Sequence, residues 1–295
     1  MRTSLSTRTF IVALAALLSA CAGIQSPTPI QRVVVFGDSN VDDGNLFRLT
    51  GDKVPAAPNW RGRNSNGPNV AEYVAQGLGA KLQNYGVSGA TSGPTNVVGR
   101  LPAYKSIEIT GMRWQVDQFI QKDNGRLGAA DVVILWAGSN DILGLDRKNT
   151  PVLTAAISQA TGNTSSEIDR LLAVGARRIL VANRTPREAL ENDNDLNGID
   201  LNRALAATVA EAAKRSGADI RVFDAYASVA EMMRNPARFG FEQVNALCIQ
   251  LPACANESYE SGLKTANGYV NWDAAHKTTR VHQLMADRML GMLKP

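Results

Sequence analysis

Short apolar, β-branched runs punctuate this chain at Arg32 to Phe36, Lys81 to Tyr85, Val132 to Trp136, Arg178 to Ala182 and Ile220 to Phe223. Runs of this length, rich in valine and isoleucine, predict strands. Between them the apolar positions return at helical spacing, predicting helices over Val70 to Leu78, Met112 to Gln121, Val152 to Ala173 and Asn197 to Arg215. A last helix is expected from Thr278 to Leu293, after an Asp- and Asn-rich loop. Alternating strands and helices build parallel sheets, because each parallel pair needs a crossover that covers a sheet face. The pattern therefore predicts an α/β fold, a three-layer αβα sandwich around a central, mostly parallel five-stranded sheet, in one domain over residues 32–295. In such sheets ligands sit beyond the carboxyl ends of the strands, so chemistry is expected just after each apolar run. Three irregular stretches, Phe47 to Pro68, Ser92 to Gly111 and Pro236 to Asn271, are long for plain connections and are candidate walls of a site.

The first twenty residues break the pattern. Arg2 and Arg8 precede an apolar and small-residue run from Phe10 to Ala20, about half the roughly 20 residues that a bilayer-spanning helix needs, but suited to the core of an export signal. Its ending, Leu18-Ser19-Ala20-Cys21, resembles a bacterial lipobox. That resemblance implies cleavage before Cys21 and acylation of its thiol. With Ala22 rather than Asp next, it also implies an outer-membrane address, on the periplasmic or the surface face. Simple secretion, with Ala20-Cys21-Ala22 as a small-x-small cleavage site, is the competing reading. Residues 1–20 are thus expected to be a signal peptide and 21–31 a polar, Pro-containing tether.

Composition adds limits. A chain of 295 residues with 44% hydrophobic and 20% charged side chains can bury a core, and a dispersed formal charge of +4 gives no footprint for nucleic acid. Half of that excess, Arg2 and Arg8, belongs to the export segment. The rare residues say more: the chain has two histidines, His276 and His282, and three cysteines, Cys21, Cys248 and Cys254. Two imidazoles exclude a three-histidine metal site. If Cys21 is acylated or removed, Cys248 and Cys254 remain as a pair in an oxidising compartment and are expected to form a disulfide, two free thiols being the other reading.

The first predicted strand runs directly into Gly37-Asp38-Ser39-Asn40-Val41-Asp42-Asp43-Gly44-Asn45. Alone, Gly-Asp-Ser reads as a turn with a helix cap. Taken with Phe36 and its continuation, the segment resembles the first block of the GDSL, or SGNH, hydrolases, in the FGDSxxDxGN form of secreted lipases and esterases. The family nucleophile then falls at Ser39. Further blocks follow in the family's order. Gly62-Arg63-Asn64-Ser65-Asn66-Gly67 is similar to GRFSNG, with Asn64 for the usual Phe. Asn84 to Thr91 resembles the second block, whose oxyanion-hole glycine falls at Gly89, and Trp136 to Asp141 the third, whose oxyanion-hole asparagine is Asn140. Trp272-Asp273-Ala274-Ala275-His276 matches the closing DxxH block. Two departures, Asn40 for the usual Leu and Val41 after it, bear on substrate preference more than on chemistry. The resemblance implies a flavodoxin-like SGNH fold and no metal or organic cofactor.

The residues themselves support the same chemistry. A serine hydroxyl is a poor nucleophile until a base takes its proton, and imidazole titrates near neutrality. His276 stands three residues after Asp273, where a local hydrogen bond can orient its ring. His282, six residues further on, has no carboxylate at that spacing and reads as a surface or helix-packing residue. Ser39 is expected to attack an ester, with the amides of Ser39 and Gly89 and the side chain of Asn140 meeting the developing oxyanion. The expected substrate is a fatty-acyl or aryl ester, possibly a phospholipid, met by an enzyme held to a membrane through its lipid. A carbohydrate O-acetylesterase or an acyltransferase would use the same residues. From a different class, a non-catalytic outer-membrane binding or assembly lipoprotein would keep the scaffold without the reaction. Lys277 stands where the family commonly has Pro; it is expected at an exposed helix N-terminus, lowering the basicity of His276 or contacting an anionic substrate.

Overall fold

In the computed structural model the described residues are 28–294, apart from residue 188. The expected signal segment, Cys21 and most of the tether lie outside them. Five strands, β1 (Arg32–Gly37), β2 (Lys81–Asn84), β3 (Asp131–Trp136), β4 (Arg178–Ala182) and β5 (Asp219–Phe223), form one sheet in the order β2-β1-β3-β4-β5. Every pairing in it is parallel. These are the five apolar runs, and the period-two alternation of a strand sorts their side chains to two faces. Val33, Val35, Ile134, Trp136 and Leu180 join one core cluster, while Val34, Phe36, Leu135, Ile179 and Val181 join the other.

Helices cover both faces. They are α1 (Asn45–Leu49), α2 (Val70–Leu78), α3 (Met112–Asp117), α4 (Thr150–Ala173), α5 (Asp193–Ser216), α6 (Ala225–Arg234), α7 (Pro236–Phe239), α8 (Pro252–Ala255) and α9 (Thr279–Leu293). The first cluster takes Val74 of α2, Val229 of α6 and Met285 of α9; the second takes Val116 of α3, Ile168 of α4 and Val209 of α5. This is the three-layer sandwich. The strand order reverses direction beside β1, so the carboxyl ends of β1 and β3 flank the crevice where such sheets bind ligands. Thr28 lies at the other pole, its carbonyl accepting from Arg178 at the start of β4.

Local chemistry sets the boundaries. Asn69 and Glu72 form a reciprocal cap at the start of α2, and Gly79, at φ 60°, ends it. The helix expected from Asn197 begins earlier, at Asp193, where Asn192 accepts from the Asp195 amide and two acidic residues complement the dipole. That polar first turn carries no apolar periodicity. The stretch expected as one helix to Gln121 leaves α geometry after Asp117 and continues as a π turn over Gln118–Lys122. A small parallel sheet of β6 (Gln243–Leu247) and β7 (Tyr269–Asn271) occupies a stretch expected to be irregular.

Cys248 and Cys254 are bonded, with Cα atoms 5.3 Å apart. The bridge packs with Leu263, Ala266 and Trp272 in a separate apolar cluster, beneath the residue that precedes Asp273.

His282 proves to be a helix-packing residue: it is 2% exposed, and its Nδ1 has no hydrogen-bond partner among the described residues. Burial, reinforced by His276 and Lys277 nearby, pushes its pKa down from 6.5 to about 3. The unfolded ring takes a proton near pH 6.5, whereas the folded ring stays neutral until about 3. The stability it contributes is therefore full above pH 6.5 and drains away as the pH falls toward 3. His282→Leu should flatten that dependence, as read from urea midpoints across the interval. A slope equal to the wild type's would refute the assignment.

Candidate active site

The site starts where β1 ends. A Cβ on Gly37 would lie 2.2 Å from the Trp136 carbonyl oxygen, so only glycine permits this close approach of β1 to β3. The buried Gln115 of α3 pins the same residue from the other side, its Oε1 accepting from the Gly37 amide at 2.7 Å and its Nε2 donating to the Gly37 carbonyl at 2.9 Å. Asp38 is fully buried, and its Oδ1 accepts from the Asn40 amide (3.0 Å) and side chain (2.8 Å), closing a tight turn with Ser39 at its tip. Burial lifts the Asp38 carboxyl to about 6, against the pull of the Asn40 donors.

Asp42 joins the first block to the second. Its buried carboxylate accepts from the amides of Gly44 (2.8 Å), Asn45 (2.5 Å) and Leu46 (3.2 Å), and from both the amide and the hydroxyl of Ser88 at 2.7 Å. Burial raises its pKa while these donors oppose the rise. Ser88 precedes Gly89, so one carboxylate fixes the loop after β1 and the loop after β2 together.

Gly89 sits at φ 82°, and a Cβ there would meet Asn96 Oδ1 at 2.5 Å. Asn96 holds this loop from behind, its Nδ2 donating to the Ser88 carbonyl at 2.8 Å. Among the described residues no hydrogen bond takes the amide hydrogens of Ser39 or Gly89. Asn140 follows β3 in a short turn, and its Nδ2 donates one hydrogen to the Ala90 carbonyl at 2.9 Å, which orients the other. Neighbouring Asp141 accepts from the Ser92 amide (2.9 Å) and hydroxyl (2.6 Å), tying the third loop to the second.

The last block forms a hairpin. Asn271 and Lys277 pair across it as an antiparallel bridge, and the Trp272 amide donates to the His276 carbonyl at 2.9 Å. At its tip the His276 ring lies between two partners: Nε2 is 2.8 Å from Ser39 Oγ, and Nδ1 is 2.8 Å from Asp273 Oδ2. Asp273 Oδ1 also accepts from the amides of Ala275 (2.7 Å) and His276 (2.8 Å). Burial would raise the Asp273 carboxyl, but the hydrogen bond and charge of His276, with those amides, hold it down at about 2.

Ser39, Gly89, Asn140 and His276 line one pocket of about 220 Å³. Leu46, Val54, Val97, Val98 and Leu143 give it an apolar side; Arg184, Thr185 and Arg187, from the segment after β4, form a polar wall beside His276. The five residues assigned to chemistry from sequence are therefore brought together or next to one another, with Asp273 behind His276. Such a set can activate a hydroxyl and hold an oxyanion. Among the described residues no group of three or more His, Cys, Asp or Glu is placed to hold a metal ion.

Lys277 departs from expectation. It is 1% exposed and turned inward, its Nζ donating to the Arg187 carbonyl (2.9 Å) and Asn271 Oδ1 (2.5 Å). It stands at the base of the hairpin, buried and outside the lining of the pocket, which overturns the expected exposed position and contact with an anionic substrate. Asp38 and Asp42 stand in the first block, but their tasks are not legible there; Asn96 and Gln115 stand in no block and carry no signal.

Known proteins resemble the chain in sequence and in fold. The family described as GDSL-like lipase/acylhydrolase matches residues 33–289. Thermolabile hemolysin of Vibrio parahaemolyticus serotype O3:K6 is 25% identical over 286 residues, covering 90% of this chain and 64% of the hemolysin. The chain thus spans less than two thirds of that relative's length. Phosphatidylcholine-sterol acyltransferase of Aeromonas hydrophila is 27% identical over 256 residues, or 81% of this chain and 71% of that protein. A solved gut microbial diltiazem-metabolizing enzyme shares the fold, with a TM-score of 0.52 at 14% identity over 90% of this chain and 47% of that one. Matched over nearly all of its described length, the chain belongs to the GDSL-like lipase/acylhydrolase family.

Proposed function

We propose that the protein hydrolyses lipid or aryl esters through an acyl-serine intermediate on Ser39. The observation that carries this reading is the continuous line from Ser39 Oγ through His276 to Asp273, at 2.8 Å on either side of the ring. Ser39 Oγ attacks the ester carbonyl while His276 Nε2 takes its proton, and Asp273 holds the Nδ1–H tautomer and stabilises the imidazolium. The oxyanion meets the amides of Ser39 and Gly89 and the outward hydrogen of Asn140 Nδ2. As the carbon–oxygen bond breaks, His276 returns the proton to the leaving alcohol. Water, activated by the same base, then releases the acid from Ser39.

The substrate class rests on the pocket wall. Leu46, Val54, Val97 and Val98 offer an acyl chain an apolar path, and Leu143, 45% exposed, extends it to the surface. The name of the phosphatidylcholine-sterol acyltransferase points the same way, toward lipid. Transfer to an alcohol instead of water is the second reading, and the acyltransferase relative favours it. The lipobox-like Leu18-Ser19-Ala20-Cys21 fits a lipid-facing enzyme that is exported and anchored through Cys21.

Wild type should react with a fluorophosphonate probe and hydrolyse p-nitrophenyl butyrate and longer esters; Ser39→Ala should do neither. Activity confined to the acetyl ester would discard the lipid reading in favour of an acetylesterase. Asn140→Ala should lower kcat by about 10²- to 10³-fold with a much smaller change in KM, since its hydrogen bond is made to the oxyanion. Equal losses in affinity and turnover would assign Asn140 to ground-state binding. For the anchor, cells fed radiolabelled palmitate should label the wild type and not Cys21→Ser, and label retained by the variant would refute acylation at Cys21.

A further inference from the structure

Lys277 is a buried cation that the proposed reaction does not use. Its main chain is fixed by Ser65, whose hydroxyl donates to the Lys277 carbonyl at 2.9 Å. Its ammonium reaches out of the catalytic hairpin to the Arg187 carbonyl, and the Arg187 guanidinium reaches back, Nε donating to the Ala274 carbonyl at 3.3 Å. The pocket wall after β4 and the hairpin of Asp273 and His276 are thus joined on either side of the base.

A buried ammonium makes such a joint unforgiving. Out of water it is tolerated only while oxygen acceptors surround it, so withdrawing Arg187 or tilting the hairpin takes an acceptor from a charge that water cannot reach. An apolar contact would allow sliding; this one holds a single geometry. The other end of the hairpin is held too, through Asn271, whose Nδ2 donates to the Val244 carbonyl at 2.6 Å while its Oδ1 accepts from Lys277.

We propose that Lys277 is a positioning residue for ester hydrolysis: it straps the wall at Arg187 to the hairpin and thereby sets His276 Nε2 against Ser39 Oγ. This rests on the acyl-serine reading above. A base displaced by about 1 Å can cost on the order of 10²-fold in rate, so the strap acts through turnover.

The test compares wild type, Lys277→Met and Lys277→Arg in the full chain by melting temperature, steady-state hydrolysis of p-nitrophenyl butyrate and the rate of fluorophosphonate labelling. In folded Lys277→Met, kcat and labelling rate should fall together by about 10- to 100-fold, and Lys277→Arg, which keeps a cation with several donors, should regain most of the loss. A folded Lys277→Met with a lower melting temperature but wild-type kcat and labelling would overturn the proposal, leaving Lys277 a purely structural residue. If the methionine variant does not fold, Lys277→Gln carries the same expectation, and wild-type turnover there overturns it equally. A wild type that the probe fails to label would overturn the acyl-serine reading and the strap with it, whereas a labelled wild type and an unaffected variant overturn the strap alone.

Discussion

The contact between Ser39 and His276 joins residues 237 apart in sequence, and most of the molecule serves to close that distance. Neither residue can reach the other through local structure. The serine is fixed by the end of β1, and the histidine must be brought over it on a hairpin from the far end of the chain. That hairpin is held by several unrelated groups. Below it the disulfide cluster packs Trp272, whose indole donates to Asn59 at 2.8 Å. Beyond it α9 lies along α2. The segment at 62–67 does the bracketing: Ser65 holds the Lys277 carbonyl, and Asn66 Oδ1 accepts from the Thr279 amide at 2.8 Å. Its side chains thus serve the last block, more than 200 residues away in sequence.

Electrostatics separates the buried acids of the site by their neighbours. Burial raises Asp38, Asp42 and Asp141, whose partners are amides and hydroxyls. Asp273 is only half-buried, and it lies low because its carboxylate hydrogen-bonds the imidazole directly. Amide donors satisfy a carboxylate of fixed charge; a ring that gains and loses a proton rewards one that stays ionised throughout. In the proposed reaction the same fold uses some carboxylates as fasteners and another as the counter-charge of a moving proton.

How much of this the sequence made legible depends on range. Strands buried on both faces announce themselves as apolar runs, and Ser39, Gly89, Asn140, Asp273 and His276 sit in short blocks whose chemistry is local to a turn. The polar start of α5 and the half-exposed β6 carry no period to read, so their limits or existence stayed hidden. The π turn after Asp117 has the apolar spacing of a helix and differs only in its hydrogen bonds. Lys277 is hidden for a related reason: a lysine before a helix suggests solvent, and the Arg187 carbonyl that receives its ammonium lies 90 residues away. Gln115, whose amide completes the β1 turn from α3, acts across 78 residues, and nothing near it in sequence signals that task.

Thr28 and the pocket lie at opposite poles of a parallel sheet, the first beside the starts of β1 and β4, the second beyond the ends of β1, β2 and β3. A strand of six residues sets those poles roughly 20 Å apart. Any hold exerted through the chain upstream of Thr28 consequently acts on the back of the molecule. In the anchored form proposed above, the mooring therefore lies at the pole opposite the pocket mouth.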